Sequence, residues 1–513
     1  MIFETELPPS WGTARLDEVC GINERSFSPL PAARDMPVHF VPMAAVQKEF
    51  GGIDLADRRP LGEVIKGYTA FVEGDVLLAK ITPCMENGKL ALVPKLADHV
   101  GFGSTEFHVL RSGDALLAAW IARYVSQMAF RRAARQDMSG SAGQLRVQTP
   151  WLAAVTVPIA PLAEQQRILQ RVDEALSEID AGVLELEAAK RKLALYRQSL
   201  LKSAVEGALT ADWRQARCPE EPGEQLLSRL VRERRERWEA RQMARFSAQS
   251  KAPPKDWRDR YEPGNAPDTA SLPLLPKGWV YASIGQCFEV EVGATPSRKA
   301  IDYWGSTVPW VSSGEVNFSR IAATRESITE AGLANSSTQI NPKGSVLLGM
   351  IGEGKTRGQV AILEIPAANN QNCAAIWVSE TDVPPEFVYF WLWSRYDETR
   401  RGSSGNNQPA LNKSLVRAMP IPIAPIDEMR EIAERLGVQF AGIEMQEREI
   451  DRLLRMVSAQ RQNILRAAFS GQLVPQDPND EPASVLLERI RAERQASPQA
   501  SKRKPGRAAK VAA

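Results

Sequence analysis

Five blocks of this chain recur in one order at nearly constant distance, and that repetition limits what it can fold into more than any single motif. Leu7-Pro8-x-x-Trp11 returns as Leu275-Pro276-x-x-Trp279, 268 residues on. GDVLLAKITPCMENGKLALV, from Gly74, aligns with GSVLLGMIGEGKTRGQVAIL, from Gly344, at an offset of 270. VPIAPLAEQQRI from Val157 matches IPIAPIDEMREI from Ile421, and RQSLLKSAVEGALT from Arg197 matches RQNILRAAFSGQLV from Arg461, both at 264. EPGEQLLSRL from Glu221 pairs with EPASVLLERI from Glu481 at 260. Blocks in unchanged order, with offsets drifting by only ten residues, make the chain a tandem duplication of a unit of about 265 residues.

Each copy follows one plan. A mixed segment comes first (1–155 and 273–420), with strand-like runs such as AFVEGDVLLAKI, KLALVPK, GSVLLGMI and QVAILEI. Helical patches, LLAAWIARYVSQMAF and EFVYFWLWSRY, follow. Prolines (Pro158 and Pro161, Pro422 and Pro425) then lead into a long helix free of proline that ends near Gly207 or Gly471, each suited to a C-cap. Leu169, Val172, Leu176, Ile179, Val183, Leu186 and Leu193 alternate three- and four-residue steps, with Lys190 the polar interruption. Leu436, Phe440, Ile443, Ile450, Leu454 and Val457 do the same around Glu447. That is the seam of a coiled coil, on helices of about 42 residues reaching roughly 60 Å.

Two unpartnered seams in one chain are expected to bury each other. Antiparallel pairing is the pseudo-twofold closure and sets the two mixed segments at opposite ends. It also brings Lys190 and Glu447 near the centre, either as a pair fixing the register or as separate solvated edges. The expected fold class is α+β: a duplicated mixed α/β domain plus a long helix, the two helices forming an antiparallel coiled coil.

GMIGEGKT, residues 349–356, fits the phosphate-binding pattern G-x-x-x-x-G-K-[ST] letter for letter. A P-loop must open directly into a helix whose N-terminal amides meet the phosphate. Here Lys355-Thr356 runs into RGQVAILEIP, an apolar β-branched run ending at Pro366, so the context predicts a hairpin. The matching loop of the first copy, AKITPCME, has none of the four motif residues, and no apolar run followed by Asp-Glu supplies a magnesium ligand. Asp/Asn-Pro-Pro-aromatic, G-x-S-x-G, H-E-x-x-H and EF-hand patterns are missing too. His39, His99 and His108 offer little material for zinc, and the five scattered cysteines form no C-x-x-C pair. Cys84 reads as a packing cysteine.

The N-terminus lacks the layout of a signal peptide and no apolar run approaches a membrane span, so a soluble cytoplasmic protein is expected. Net charge is only +2, from 64 basic and 62 acidic residues. Arginines crowd residues 229–260 and Lys502, Arg503, Lys504, Arg507 and Lys510 the tail, as solvated faces or as attraction for phosphate.

Leu-Pro-x-x-Trp, the GDVLL/GSVLL strand, FGSTEF at 102–107, TPS…YWGSTVPW at 295–310 and PIAP-x-x-E, duplicated in order over nearly the whole chain, resemble the DNA-specificity subunit of type I restriction–modification systems. The resemblance implies target-recognition domains at 1–155 and 273–420 and spacer helices at 156–212 and 421–472. A charged helical linker at 213–272 and a C-terminal helix with a basic disordered tail at 473–513 complete the plan. Each domain is expected to read half of a split site in double-stranded DNA, while the paired helices set the spacing and dock two modification subunits. The resemblance puts methylation with S-adenosylmethionine in those subunits, and ATP- and magnesium-dependent translocation and cleavage in restriction subunits. It implies no catalytic residue, cofactor or metal in this chain and no membrane.

Base readout needs polar side chains on loops that reach the major groove. SGSAGQLR (139–146), GSSGNNQ (402–408) and TPSRK (295–299) are such loops. The candidate DNA contacts are Gln144, Arg146, Arg298, Lys299, Lys355, Arg357, Asn406, Asn407 and Gln408. The rival expectations are a P-loop ATPase or self-contained DNA-modifying enzyme, and a coiled-coil scaffold without DNA specificity.

Overall fold

In a computed structural model, residues 6–24, 34–97, 99–141, 143–217, 219–270, 272–352, 355–401 and 411–496 are described. The chain divides into two compact units, Met1–Glu187 with Asp451–Ala513, and Ala188–Ile450. The boundary cuts through both long helices rather than between the copies.

The duplication holds in the order of the main-sheet strands. In the first unit an antiparallel sheet runs Cys20–Ile22, Phe107–Ser112, Val76–Ala79, Leu90–Leu92. In the second, Val290–Val292, Cys373–Ile376, Val346–Gly349 and Val360–Leu363 repeat that order, with Ser319–Ile321 added in parallel at the edge. Val76–Ala79 and Val346–Gly349 are buried at every position, which is why they read as unbroken apolar runs and not as alternation. A smaller sheet stands beside each: Arg58–Pro60, Pro37–Val41, Val100–Gly103, Thr69–Val72 in the first unit and Glu326–Ile328, Trp304–Val311, Ala368–Asn369 in the second.

A clasp closes each domain. Gly12–Arg15 pairs antiparallel with Thr156–Ile159, and Val280–Ser283 with Pro420–Ile423, in the same register. The tryptophan of each Leu-Pro-x-x-Trp block lies just before its clasp and meets an aromatic ring edge-on. Trp11 sits 5.6 Å from Trp120, and Trp279 6.5 Å from Phe387. The partner rings belong to the helices Ala118–Ser126 and Pro385–Ser394, which close over the sheets.

The spacer helices are Leu162–Val205 and Ile426–Phe469, 44 residues each. They pair antiparallel. Asp180 meets Arg461 in the first unit, and in the second Glu447 accepts from Arg197 at 2.8 Å and Tyr196 Oη donates to Gln439 at 3.2 Å. Glu447 therefore finds its partner two turns beyond Lys190. Seam burial is uneven: Leu169, Val172, Leu176, Leu436, Phe440 and Ile443 are buried, whereas Ile179, Val183, Leu186, Leu454 and Val457 are half-buried. A two-helix seam covers each residue from one side only; where a domain also packs on it, as Trp120 does on Phe469 at 4.6 Å and Phe390 on Phe440 at 5.0 Å, burial is complete.

The two copies complete one another. The segment after the first helix joins the second domain, and the segment after the second helix joins the first. Gly207 and Gly471 both take φ +72° and lie so close to the Leu-Pro-x-x-Trp block of the other copy that a Cβ would stand 2.4 Å from Pro276 and 2.3 Å from Pro8. Beyond them, helix Gly223–Ala248 packs on the clasp of the second domain and Ala483–Ala496 on that of the first. The Ala483 amide donates to the Ser10 carbonyl at 2.9 Å.

The glutamate of each PIAP-x-x-E block binds this exchange. Glu428, 1% exposed, accepts Trp279 Nε1 at 2.9 Å and Thr210 Oγ1 at 2.8 Å and pairs with Arg214. Glu164, equally buried, accepts Gln476 Nε2 at 2.6 Å, and burial holds its carboxyl above the usual carboxylate range. Gly207→Ala is expected to destabilise the protein by about 1 kcal/mol or more, because the methyl is both strained by the positive φ and driven into Pro276. Gly182→Ala, in open helix, serves as the control; thermal melting of both variants checks the expectation, and equal melting temperatures would refute it.

Candidate nucleic-acid interface

In the first domain the hairpin Ser139–Ser141/Gln144–Arg146 is held against the loop that follows strand Val76–Ala79. Thr82 N donates to Leu145 O at 3.0 Å, Leu145 N to Thr82 Oγ1 at 3.1 Å, and Val147 N to Lys80 O at 2.8 Å. Gln144 at the tip is exposed. Arg146 forks onto Glu106, Nη2–Oε1 2.8 Å and Nε–Oε2 3.0 Å, and that guanidinium holds the Glu106 carboxyl below its ordinary range. A bidentate pair of this kind fixes the plane of the guanidinium. Arg146 thus braces the hairpin, with about a third of its side chain exposed. Beneath it His108, 2% exposed, bonds Val147 O through Nε2 at 2.9 Å and the Asn23 amide through Nδ1 at 3.0 Å.

The second domain builds the same junction. The P-loop-like stretch leaves strand Val346–Gly349 and returns in Val360–Leu363 as an antiparallel hairpin, closed by Gly349 N to Gln359 O and Gly358 N to Gly349 O, both 2.8 Å. No helix follows to offer amides to a nucleotide, and the motif match carries no phosphate site; Gly354 lies outside the described residues. This loop occupies the place of the Lys80–Thr82 loop. Leu411 N bonds Met350 O at 3.2 Å, as Val147 N bonds Lys80 O. Lys355 is exposed, its carbonyl accepting Tyr396 Oη at 2.9 Å, and Arg357 is half-buried. Asn406, Asn407 and Gln408 lie outside the described residues.

A third loop joins this cluster. Met350 N bonds Asn372 O at 2.8 Å, and Thr295 Oγ1 donates to the neighbouring Gln371 Oε1 at 2.6 Å. TPSRK is thereby tied to the loop after Asn369. Arg298 lies flat on Trp304, 3.6 Å from the ring centroid, and is paired with Glu326; Lys299 beside it is exposed. The structure therefore groups Lys355 and Arg357 with the chain leading out of 402–410, and links Arg298 and Lys299 through Thr295. Gln144 and Arg146 form the counterpart in the other domain. Thr82, Glu106, Gln371 and Asn372 went unnoticed in the sequence. The alignment of the 79–86 and 349–356 loops, and the amide run NNQN at 369–372, carried that signal.

A family model for the type I restriction modification DNA specificity domain matches residues 276–455. The EcoAI specificity subunit of Escherichia coli is 33% identical over 177 residues, 34% of this chain and 29% of that protein. The EcoDI specificity subunit of Escherichia coli is 23% identical over 353 residues, 67% of this chain and 70% of its own length. The fold is that of a chain in a structure describing complex assembly and conformational transition of the type I R-M system, with a TM-score of 0.65 at 18% identity, covering 91% of this chain and 99% of that one. Residues 276–455 thus match the type I DNA-specificity domain family. The chain's match to EcoAI spans under a third of that relative's length.

Within this specificity-subunit fold the arginine-rich helix Gly223–Ala248 is bound rather than bare. Arg229 meets Glu221, Glu233 and Asp382, Arg241 meets Glu380 and Glu289, and Arg237 lies by Glu233 and Glu380. Arg234, 3% exposed, donates to Tyr261 Oη at 2.9 Å, and Trp238 stacks on Trp257. Much of the arginine cluster is spent on carboxylates of its own domain. No described helix is long and apolar enough to cross a membrane, and among the described residues no group of three or more His, Cys, Asp or Glu is placed to hold a metal.

Burial lowers the His108 pKa below its ordinary 6.5, reinforced by Lys80 and opposed by the bond to Val147 and by Glu106. The folded state therefore binds fewer protons than the unfolded one as pH falls below about 6.5. The stabilising contribution is complete above that value and is lost as pH falls through the folded pKa. Melting temperature is expected to drop on acidification less steeply in His108→Gln than in the parent; parallel profiles would refute the assignment.

Proposed function

We propose that this chain is the DNA-reading subunit of a type I restriction–modification complex, each recognition domain contacting one half of a bipartite site. The observation that carries the reading is the loop junction built twice, Val147 N on Lys80 O and Leu411 N on Met350 O, once in each domain. A bipartite reader needs its modules at fixed separation, since half-site spacing mirrors protein geometry. Each spacer helix, 44 residues and roughly 66 Å long, runs from one unit into the other. The match of residues 276–455 to the type I DNA-specificity domain supports the same reading.

On this reading two modification subunits dock on the helix pair and bring S-adenosylmethionine, while restriction subunits bring ATP and magnesium. The chain itself selects the site and leaves methylation and cleavage to those partners, in the cytoplasm. Affinity for DNA is then shared across the assembly, which suits a subunit of net charge +2 whose arginine helix is largely neutralised.

Removing one heptad from each spacer helix at facing positions shortens the pair by about 10 Å, or about three base pairs of DNA. The assembled complex is expected to methylate the same half-site bases at a correspondingly shorter spacing, read by mapping methylated bases. A changed base preference at unchanged spacing would sink the division of roles. Lys355→Ala with Thr356→Ala is expected to leave ATP hydrolysis by the assembled complex unchanged, because the hairpin has no helix to hold a nucleotide; loss of hydrolysis would restore the ATPase reading.

A further inference from the structure

The loop after Asn369 rests on a buried amide network. Asn341 and Asn369, 0% and 1% exposed, are joined Nδ2 to Oδ1 at 2.8 Å. Asn369 Nδ2 donates onward to Asn370 O at 2.9 Å and Cys373 O at 2.8 Å, and Trp377 Nε1 donates to Asn341 Oδ1 at 2.9 Å. Thr338 Oγ1 caps the Asn369 carbonyl at 2.9 Å. Gly293, leading to Thr295, passes so close that a Cβ would lie 1.8 Å from that carbonyl oxygen. The turn is then pinned by Asn370 N to Val311 O at 3.0 Å and Asn372 N to Asn370 Oδ1 at 3.1 Å.

Buried polar groups are costly unless fully satisfied, and a satisfied network fixes one conformation of whatever it supports. What it supports is the exposed side chain of Gln371. An exposed glutamine ordinarily loses rotamer freedom on binding. Here Thr295 Oγ1 already holds its Oε1 at 2.6 Å. Among the described residues nothing else holds this amide, so the two Nε2 donors and a second lone pair on Oε1 remain for a ligand. Lys299, four residues from Thr295, is exposed, while Arg298 is paired with Glu326.

We infer that Gln371 is a base-reading residue of the second recognition domain, presenting its amide to the major-groove edge of an adenine, with Thr295 as its positioning residue. Nε2 donates to adenine N7 while Oε1 accepts from N6–H, the bidentate pairing that distinguishes adenine from the other bases. The inference rests on the DNA-reading role proposed above and names one contact within it.

The test uses the full chain assembled with its modification subunits, methylating a duplex library randomised around a split site, with the methylated products sequenced. If the parent selects no split motif, the DNA-reading role itself fails, whatever Gln371 does. If it does, Gln371→Ala is expected to weaken the preference for A·T at one position of one half-site by about ten-fold or more, the other half and the spacing unchanged. Thr295→Val weakens the same position less. Gln371→Glu, which can only accept, moves that position from adenine toward cytosine. Unchanged preference at every position, or a uniform loss across all positions in a variant that melts like the parent, overturns the inference; relaxation at a G·C position overturns its assignment to adenine.

Discussion

The carboxylate of Glu428 is the point on which the second half of the molecule hangs. It gathers the indole of the domain's opening block, the hydroxyl of Thr210 and the guanidinium of Arg214 at the first turn of a spacer helix, almost wholly out of water. Removing one member of such a buried set typically costs about 3–5 kcal/mol, because the others keep their desolvation without their partner. One interaction thus joins the start of the second helix, the end of the first and the front of the second domain. Glu164 plays the part in the first domain with a neutral partner, Gln476, in place of an arginine, and burial raises its carboxyl above the usual carboxylate range.

Charge is handled in the same economical way. Arginine is abundant on the helix Gly223–Ala248, yet its fork geometry is used on Glu221, Glu289, Glu380 and Asp382. The exposed cations on the loop cluster are few and local: Lys299 and Lys355, with Arg298 laid on Trp304. On the proposed DNA-reading role, discrimination comes from placed side chains more than from a broad positive field, which attracts every sequence alike.

The repeat, the helix pair and the hairpin around Lys355 were legible in the sequence because each depends on local pattern. A three-four apolar step needs a helical partner, and β-branched residues after Thr356 exclude a helix there. Less was legible about the helix seam's polar interruptions: Glu447 bonds Arg197, a residue already present in the repeated RQ block but not suspected as its partner. The exchange of segments between copies is a long-range fact. Nothing in the residues after Gly207 or Gly471 says which domain they complete until Pro276 and Pro8 are seen against them. The candidate site was legible as loop chemistry only. Arg146 reads in sequence as a candidate DNA contact, and its fork onto Glu106, 40 residues away, is not visible there. Gln371 was hidden for the opposite reason, since its value comes from buried amides that no periodicity reveals.

The crossing-over of the copies also sets an order of assembly. The second unit is one continuous stretch, Ala188–Ile450, whereas the first needs residues from both ends of the chain. As the polypeptide leaves the ribosome, the domain made first must wait, its clasp uncovered, until the final helix emerges with Ala483 to meet Ser10. The half of the chain that is synthesised earliest is finished last.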